Sequence, residues 1–265
     1  MTLHRAVDWL YSLPELALLI LPAGTMALLL IVLPRFVQRL PVLAPSDANT
    51  EFVLRLQPTL FTMSSLVLAF TLVQADSNFR HADSLVSTEA ARIDQLDRLL
   101  ARYGEAPVRE IRPMLLAYAT SIVRDEWPAM LHSKGHEATA RAFAEISQRI
   151  LAIEPVTPRQ TLILGEMLKT LDSMSDARAT RLNMVTLALI KTYWIVVAFS
   201  LAMLVFVTCT MERTRFRTVI LAAQASVLGA FLGFVFILDQ PFKGERSVSS
   251  DAIVQTIGRI SQRAG

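Results

Sequence analysis

Residues 56–75 read LQPTLFTMSSLVLAFTLVQA and carry no charged side chain. In a helix, a stretch of that length is about 30 Å long, the thickness of a bilayer's hydrocarbon core. The chain continues through 76–104 as DSNFRHADSLVSTEAARIDQLDRLLARYG, with no proline or glycine before Gly104. Phe79, Ala82, Val86, Ala90, Ile93, Leu96, Leu100 and Tyr103 recur there in steps of three and four. That near-heptad stripe marks one face of a helix. A single helix is therefore predicted to cross the membrane and run on beyond it. Asp94 and Arg98 form a favourable pair along it, and Gly104 ends it.

Three further windows are free of charge: Leu16 to Pro34, Thr192 to Met211 and Thr218 to Leu238. Working outward from them gives an all-α polytopic membrane protein. Its spans are 16–34, 56–75, 192–211 and 218–238, with a helical extramembrane insert at 76–191 and a tail at 239–265. Of the 265 residues, 53% are hydrophobic and 18% charged, where a soluble domain carries about a quarter charged. Soluble single-domain enzymes are excluded, as are collagen-like, disulfide-rich and disordered chains. The first window is preceded by one firm positive charge, Arg5, lacks a small-x-small cleavage pattern and stops at Pro34-Arg35. It reads as a retained span, not a signal peptide.

The insert is expected to be helical throughout. One helix covers about 107–127, with Pro113 as kink or start, and Pro128 and Gly135 break the chain after it. Another covers about 137–153. In the turn Glu154-Pro155-Val156-Thr157-Pro158, Thr157 is a natural N-cap with Pro158 in the first helical position. Only Gly165 interrupts the pattern from there to Lys191, so the third span is expected to grow directly from this helix. In the tail, Ile253, Val254, Ile257 and Ile260 outline a short amphipathic helix, packed on the insert or lying at the lipid surface.

The chemistry-bearing residues are sparse. Lys+Arg 26 against Asp+Glu 23 leaves a net charge of +3, too little to indicate a nucleic-acid partner. Cys209 is the single cysteine, so no internal disulfide or cysteine metal site is available. His132 and His136 have helix-face spacing, but Lys134-Gly135 interrupts them. His81, Asp83 and Glu89 read as a solvated helix face. Asp125-Glu126-Trp127-Pro128 reads as a solvated helix end with the Trp packed inward, the other reading being a small cation or acid/base site. No metal, cofactor or catalytic constellation is expected.

No charge sits mid-span, so an intramembrane proton relay is not indicated. A pore lined by hydroxyls and apolar constrictions remains open. The face Phe61, Ser64, Ser65, Leu68 and Thr71 of the second span is the candidate lining. Arg35, Arg55 and Arg217, at helix ends, would concentrate anions at a pore mouth. Asp239 directly follows the fourth span and reads either as a turn cap or as a cation-attracting gate. Ala225, Gly229 and Gly233 are spaced four apart and suit close helix–helix contact. The linkers hold Arg35, Arg39, Arg55, Arg213, Arg215 and Arg217 in short loops. That places them in the cytoplasm and the insert outside it.

Three strings carry a resemblance that covers nearly the whole chain. They are Ile93-Asp94-Gln95-Leu96-Asp97-Arg98-Leu99-Leu100-Ala101-Arg102-Tyr103-Gly104, the pair Trp127-Pro128, and Leu238-Asp239-Gln240-Pro241-Phe242-Lys243-Gly244 with Val248-Ser249. The sequence resembles the bestrophin-like family of bacterial four-span membrane proteins, distantly similar to bestrophins. The resemblance implies a multi-pass protein of the bacterial inner membrane, surrounded by lipid. It implies a homo-oligomer, pentameric if bestrophin-like, that conducts anions of the chloride type along its second span. It also implies a cytosolic insert, opposite to the charge count. No string matches the bestrophin neck or calcium clasp, so no residue is carried over from either. The second functional reading is a non-conducting scaffold or sensor whose near-heptad stripe binds a partner.

Overall fold

The computed structural model describes residues 11, 13–40, 46–104, 106–131, 134–185 and 189–264. They form eight principal helices: α1 (Glu15–Val32), α2 (Asp47–Tyr103), α3 (Ile111–Ser121), α4 (Glu137–Leu151), α5 (Pro158–Met184), α6 (Lys191–Cys209), α7 (Arg215–Asp239) and α8 (Asp251–Ala264). Among the described residues there is no strand. The chain divides into two compact units, Met1–Phe79 with Ala188–Arg246, and Arg80–Leu187 with Ser247–Gly265. Helix α2, 57 residues long, contributes to both.

In the first unit, four helices are long and apolar enough to cross a membrane: Glu15–Val37, the apolar part of Asn49–Tyr103, Lys191–Cys209 and Arg215–Asp239. Leu68 of α2, Val197, Leu201 and Leu204 of α6 and Leu228 of α7 form one buried cluster. Leu30, Val205, Cys209 and Ala225 form a second, and Ala75, Leu189, Val235 and Leu238 a third.

The tightest pairing joins α1 to α7. A Cβ at Gly229 would lie 2.7 Å from Ala23 Cα and against the Pro22 carbonyl, and one at Gly233 would meet the Leu18 carbonyl oxygen. The two backbones are in direct contact, which only glycine allows. Pro22 has no N–H to pair with the Leu18 carbonyl four residues back. That carbonyl faces the Gly233 backbone instead, a setting for a Cα–H···O contact.

The predicted run from α5 into the third span does not occur. Helix α5 stops at Met184 and α6 starts at Lys191. No proline or glycine lies between them in the sequence, and at the entry to α6 the Leu189 N–H is taken by the Asp239 carboxylate at 2.7 Å.

In the second unit the near-heptad stripe is core. Ala82, Val86, Ala90, Ile93, Leu96, Leu100 and Tyr103 are all buried, so the stripe is not a free partner-binding face. Thr157 and Gln160 form a reciprocal capping box at the start of α5. Helix α8 buries Ile253 and Ile260, and its Thr256 hydroxyl donates to the Ala90 carbonyl at 3.4 Å. The tail thus packs on the insert. The break predicted at Pro128 comes later: α3 continues through a π-helical turn (Ile122–Glu126) into Trp127–Met130. The widened turn relieves the clash between the proline ring and the carbonyl four residues back. Pro113 lies in the first turn of α3, where a missing N–H costs nothing.

Gly229→Val and Gly233→Val are expected to lower the thermal midpoint of the detergent-solubilised protein, each by at least the 1–3 kcal/mol of an overpacked core. A Cβ at Gly24 meets nothing within 4 Å, so Gly24→Ala on the same α1 serves as the neutral control.

Candidate functional site

Helix α2 presents two opposed faces along its membrane part. Ser64, Leu68 and Thr71 are buried inside the four-helix unit. The Ser64 hydroxyl donates to the Ser200 carbonyl of α6 at 3.2 Å, and that of Thr71 to Val67 O at 2.8 Å. Phe61 is half-buried against the Leu68 cluster, and Ser65 is half-buried at the border. The opposite arc is exposed and almost wholly apolar: Phe52, Leu56, Met63, Leu66, Phe70 and Val73. A pore formed between copies can be lined only by side chains exposed on one copy. Ser64, Leu68 and Thr71 are buried within this chain, whereas the arc from Met63 to Phe70 is exposed.

The three arginines at helix ends lie at the surface, each tethered locally. Arg35 donates to Ile31 O at 3.1 Å, capping the end of α1. Arg55 pairs with Glu51 at 2.6 Å in full solvent, a contact of under about 1 kcal/mol. Arg217 reaches Glu212 O at 3.4 Å.

Asp239 does not cap its own turn. It is 8% exposed, and its carboxylate accepts the Leu189 backbone N–H at 2.7 Å and the Trp194 side chain. It ties the end of α7 to the entry of α6. Next to it, Tyr11 stacks on Phe236 at 4.6 Å and donates to the Phe236 carbonyl at 2.9 Å. Pro241 and Phe242 are buried in the following turn.

The second unit holds an ion cluster that the sequence reading missed. Arg181 is fully buried, as are Glu89 and Glu126. Its guanidinium donates to Glu89 at 2.5 and 3.2 Å and to Glu126 at 2.7 Å. Arg178 donates to both oxygens of Glu126, and the His136 N–H lies 3.3 Å from Glu126 Oε1. The Trp127 ring covers the Arg181 guanidinium at 5.5 Å. Two cations and two anions balance, so the burial is tolerated. Glu126 is thus not the solvated helix-end residue the sequence suggested, although Asp125 beside it does pair with Arg124 near the surface. Glu89 is likewise buried, while His81 and Asp83 are exposed. Burial alone would raise the Glu126 pKa; the hydrogen bonds and charges of Arg178 and Arg181 outweigh it and hold the carboxyl below its ordinary range. Among the described residues no cluster of three or more metal-ligating side chains occurs. His132, half of the histidine pair, lies outside the described residues.

The fold is that of an all-α, multi-pass membrane protein with a helical insert between its second and third spans. Its sequence matches the Bestrophin-like domain over residues 20–253, and the chain belongs to that family. Among solved structures it is similar to a bacterial bestrophin homolog from Klebsiella pneumoniae. One mutant of that protein aligns at 14% identity with a TM-score of 0.67, over 94% of this chain and 98% of that one. A crystal structure of the homolog solved by Zn-SAD phasing gives 15% identity and a TM-score of 0.66, over 94% and 97%. A crystal structure described as a membrane protein gives 15% and 0.69, over 93% and 98%. No curated protein matches the chain in sequence.

Asp239→Ala strands the Leu189 and Trp194 donors and is expected to cost about 1–3 kcal/mol, with a changed Trp fluorescence. Asp239→Asn keeps an acceptor and is expected to retain most of that stability. Glu126 has a folded pKa below its unfolded value of about 4.3. Its contribution is complete above that pH and is lost as pH falls through the folded value. The thermal midpoint should hold from pH 7 to about 5 and fall below about 4. Glu126→Gln should lower it at pH 7 by the equivalent of about 3–5 kcal/mol, because Arg178 and Arg181 lose their partner.

Proposed function

We propose that the protein is an oligomeric anion channel of the bacterial inner membrane, with a conducting path between copies lined by the exposed arc of α2. One observation carries this reading: Met63, Leu66, Phe70 and Val73 form a continuous apolar stripe on the second span of a family member, directed away from the chain's own core. Rings of such side chains around a rotation axis make an apolar constriction that gates by dewetting. Bestrophins, which the family resembles, conduct anions as pentamers through their second membrane helix. Ser65 borders the arc and supplies a hydroxyl; Phe61 supports it from behind. Arg35, Arg55 and Arg217 draw anions toward one end. Chloride-type anions are the permeant class. The six linker arginines support cytoplasmic linkers and an extracytoplasmic insert.

A scaffold or sensor reading draws on a different surface: Leu151, Val156 and Leu162 are exposed around the capped α4–α5 turn. It is the second reading because α2's exposed arc has no part in it.

Native mass spectrometry in mild detergent is expected to give one ring-forming copy number, five for a bestrophin-like assembly. Proteoliposomes should then show chloride flux, and Phe70→Ala should raise it severalfold by widening the constriction. A monomer, or the absence of flux at high protein density, would overturn the channel reading.

A further inference from the structure

The string Ile93–Gly104 contains a second charged constellation that the channel reading leaves unused. Asp94 and Asp97 sit one turn apart on α2, with side chains 8% and 0% exposed. Asp94 accepts from Arg98 of α2 and from Arg263 of α8. Asp97 accepts from Arg112 of α3 at 2.8 Å and lies 3.4 Å from Arg263. Two carboxylates thus serve three guanidiniums. Arg259, one turn before Arg263, donates to the Thr256 hydroxyl at 2.8 Å and meets no carboxylate among the described residues. Arg98, Arg112, Arg259 and Arg263 against Asp94 and Asp97 leave two positive charges uncompensated.

These arginines are held in place. The buried aspartates fix Arg98 and Arg263, and the fully buried Thr256, itself tied to Ala90 O, orients Arg259. Asp94, Arg98, Arg259, Gln262 and Arg263 line an open groove of about 360 Å³. Like charges so gathered repel one another unless an anion joins them. Guanidinium forks match phosphate oxygens with two parallel hydrogen bonds each, and fixing the forks beforehand reduces the ordering cost of binding.

We propose that this groove binds a doubly charged phosphate group, belonging to a soluble phosphate or to the headgroup of an anionic phospholipid. Arg259, oriented by Thr256 and without a carboxylate partner among the described residues, and Gln262 are the ligand-facing groups; Arg98 and Arg263 contribute charge from their aspartate anchors. The site is independent of whether the protein conducts.

The test uses the full-length protein in neutral detergent, titrated with inorganic pyrophosphate and, separately, with dioctanoyl phosphatidic acid, and read by thermal shift and calorimetry. A saturable rise in midpoint is expected that sodium chloride at equal ionic strength does not reproduce. Arg259→Gln, which leaves both aspartate anchors intact, should weaken binding about tenfold. Gln262→Glu, which places a negative charge in the groove, should abolish it. A response to pyrophosphate alone identifies a soluble phosphate as the source; a response to phosphatidic acid alone identifies the lipid headgroup. No response to either, a response equalled by salt, or one that both variants leave unchanged would overturn the proposal.

Discussion

One continuous helix, from Asp47 to Tyr103 with Pro58 inside it, underlies the other features of this chain. Away from its ends, and apart from the Leu54 carbonyl that Pro58 cannot serve, it satisfies its own polar backbone, as a segment in hydrocarbon must. Side chains alone then decide what it meets. In the first unit its buried face, Ser64, Leu68 and Thr71, locks onto α6 and α7. In the second its buried stripe, Ala82 to Tyr103, is the core on which α3 and α8 pack. The exposed arc at Met63–Phe70 is what remains after those demands are met, and it is the part open to a neighbouring copy.

Where backbone or charge is withdrawn from water elsewhere, a partner from far along the chain receives it. The Leu18 carbonyl, which Pro22 cannot cap, meets the bare backbone of Gly233. The Leu189 N–H, left over where α5 and α6 separate, goes to Asp239. Arg181, placed in an otherwise apolar row with Met167, Met174 and Met184, is neutralised by Glu89 and Glu126. An unpaired donor or charge at any of these places would cost several kcal/mol. The pairings therefore specify one arrangement of helices as well as stabilising it.

Much of this was legible in the chain. Charge-free windows marked the four spans, the step-three-and-four stripe marked the buried face of α2, Thr157-Pro158 marked a helix start, and Ala225, Gly229 and Gly233 marked a close contact. What could not be read depended on residues distant in sequence. The break between α5 and α6 has no local breaker, and the Leu189 N–H there pairs with Asp239, fifty positions away. Glu126 was read as solvated because its local neighbours are polar, whereas its partners lie on another helix. A signal was present even so: Arg181 and Glu89 both interrupt apolar rows, and a charge in such a row requires a counter-charge. Of the candidate lining Phe61, Ser64, Ser65, Leu68 and Thr71, the Ser64 and Thr71 hydroxyls donate to backbone carbonyls inside the chain, while Ser65 stands at the border. The large apolar residues take the open side.

The proposed path between copies rests on family membership and the free arc of α2. The direct test is cysteine accessibility. Cys209 is buried and unpaired, so the native background is quiet toward a charged thiol reagent. With single cysteines at Met63, Leu66 and Phe70, a membrane-impermeant, negatively charged methanethiosulfonate should modify the arc in proteoliposomes and block anion flux, and oxidation should cross-link neighbouring copies. Unmodified cysteines with unchanged flux and no cross-links would place the arc against lipid and contradict the account.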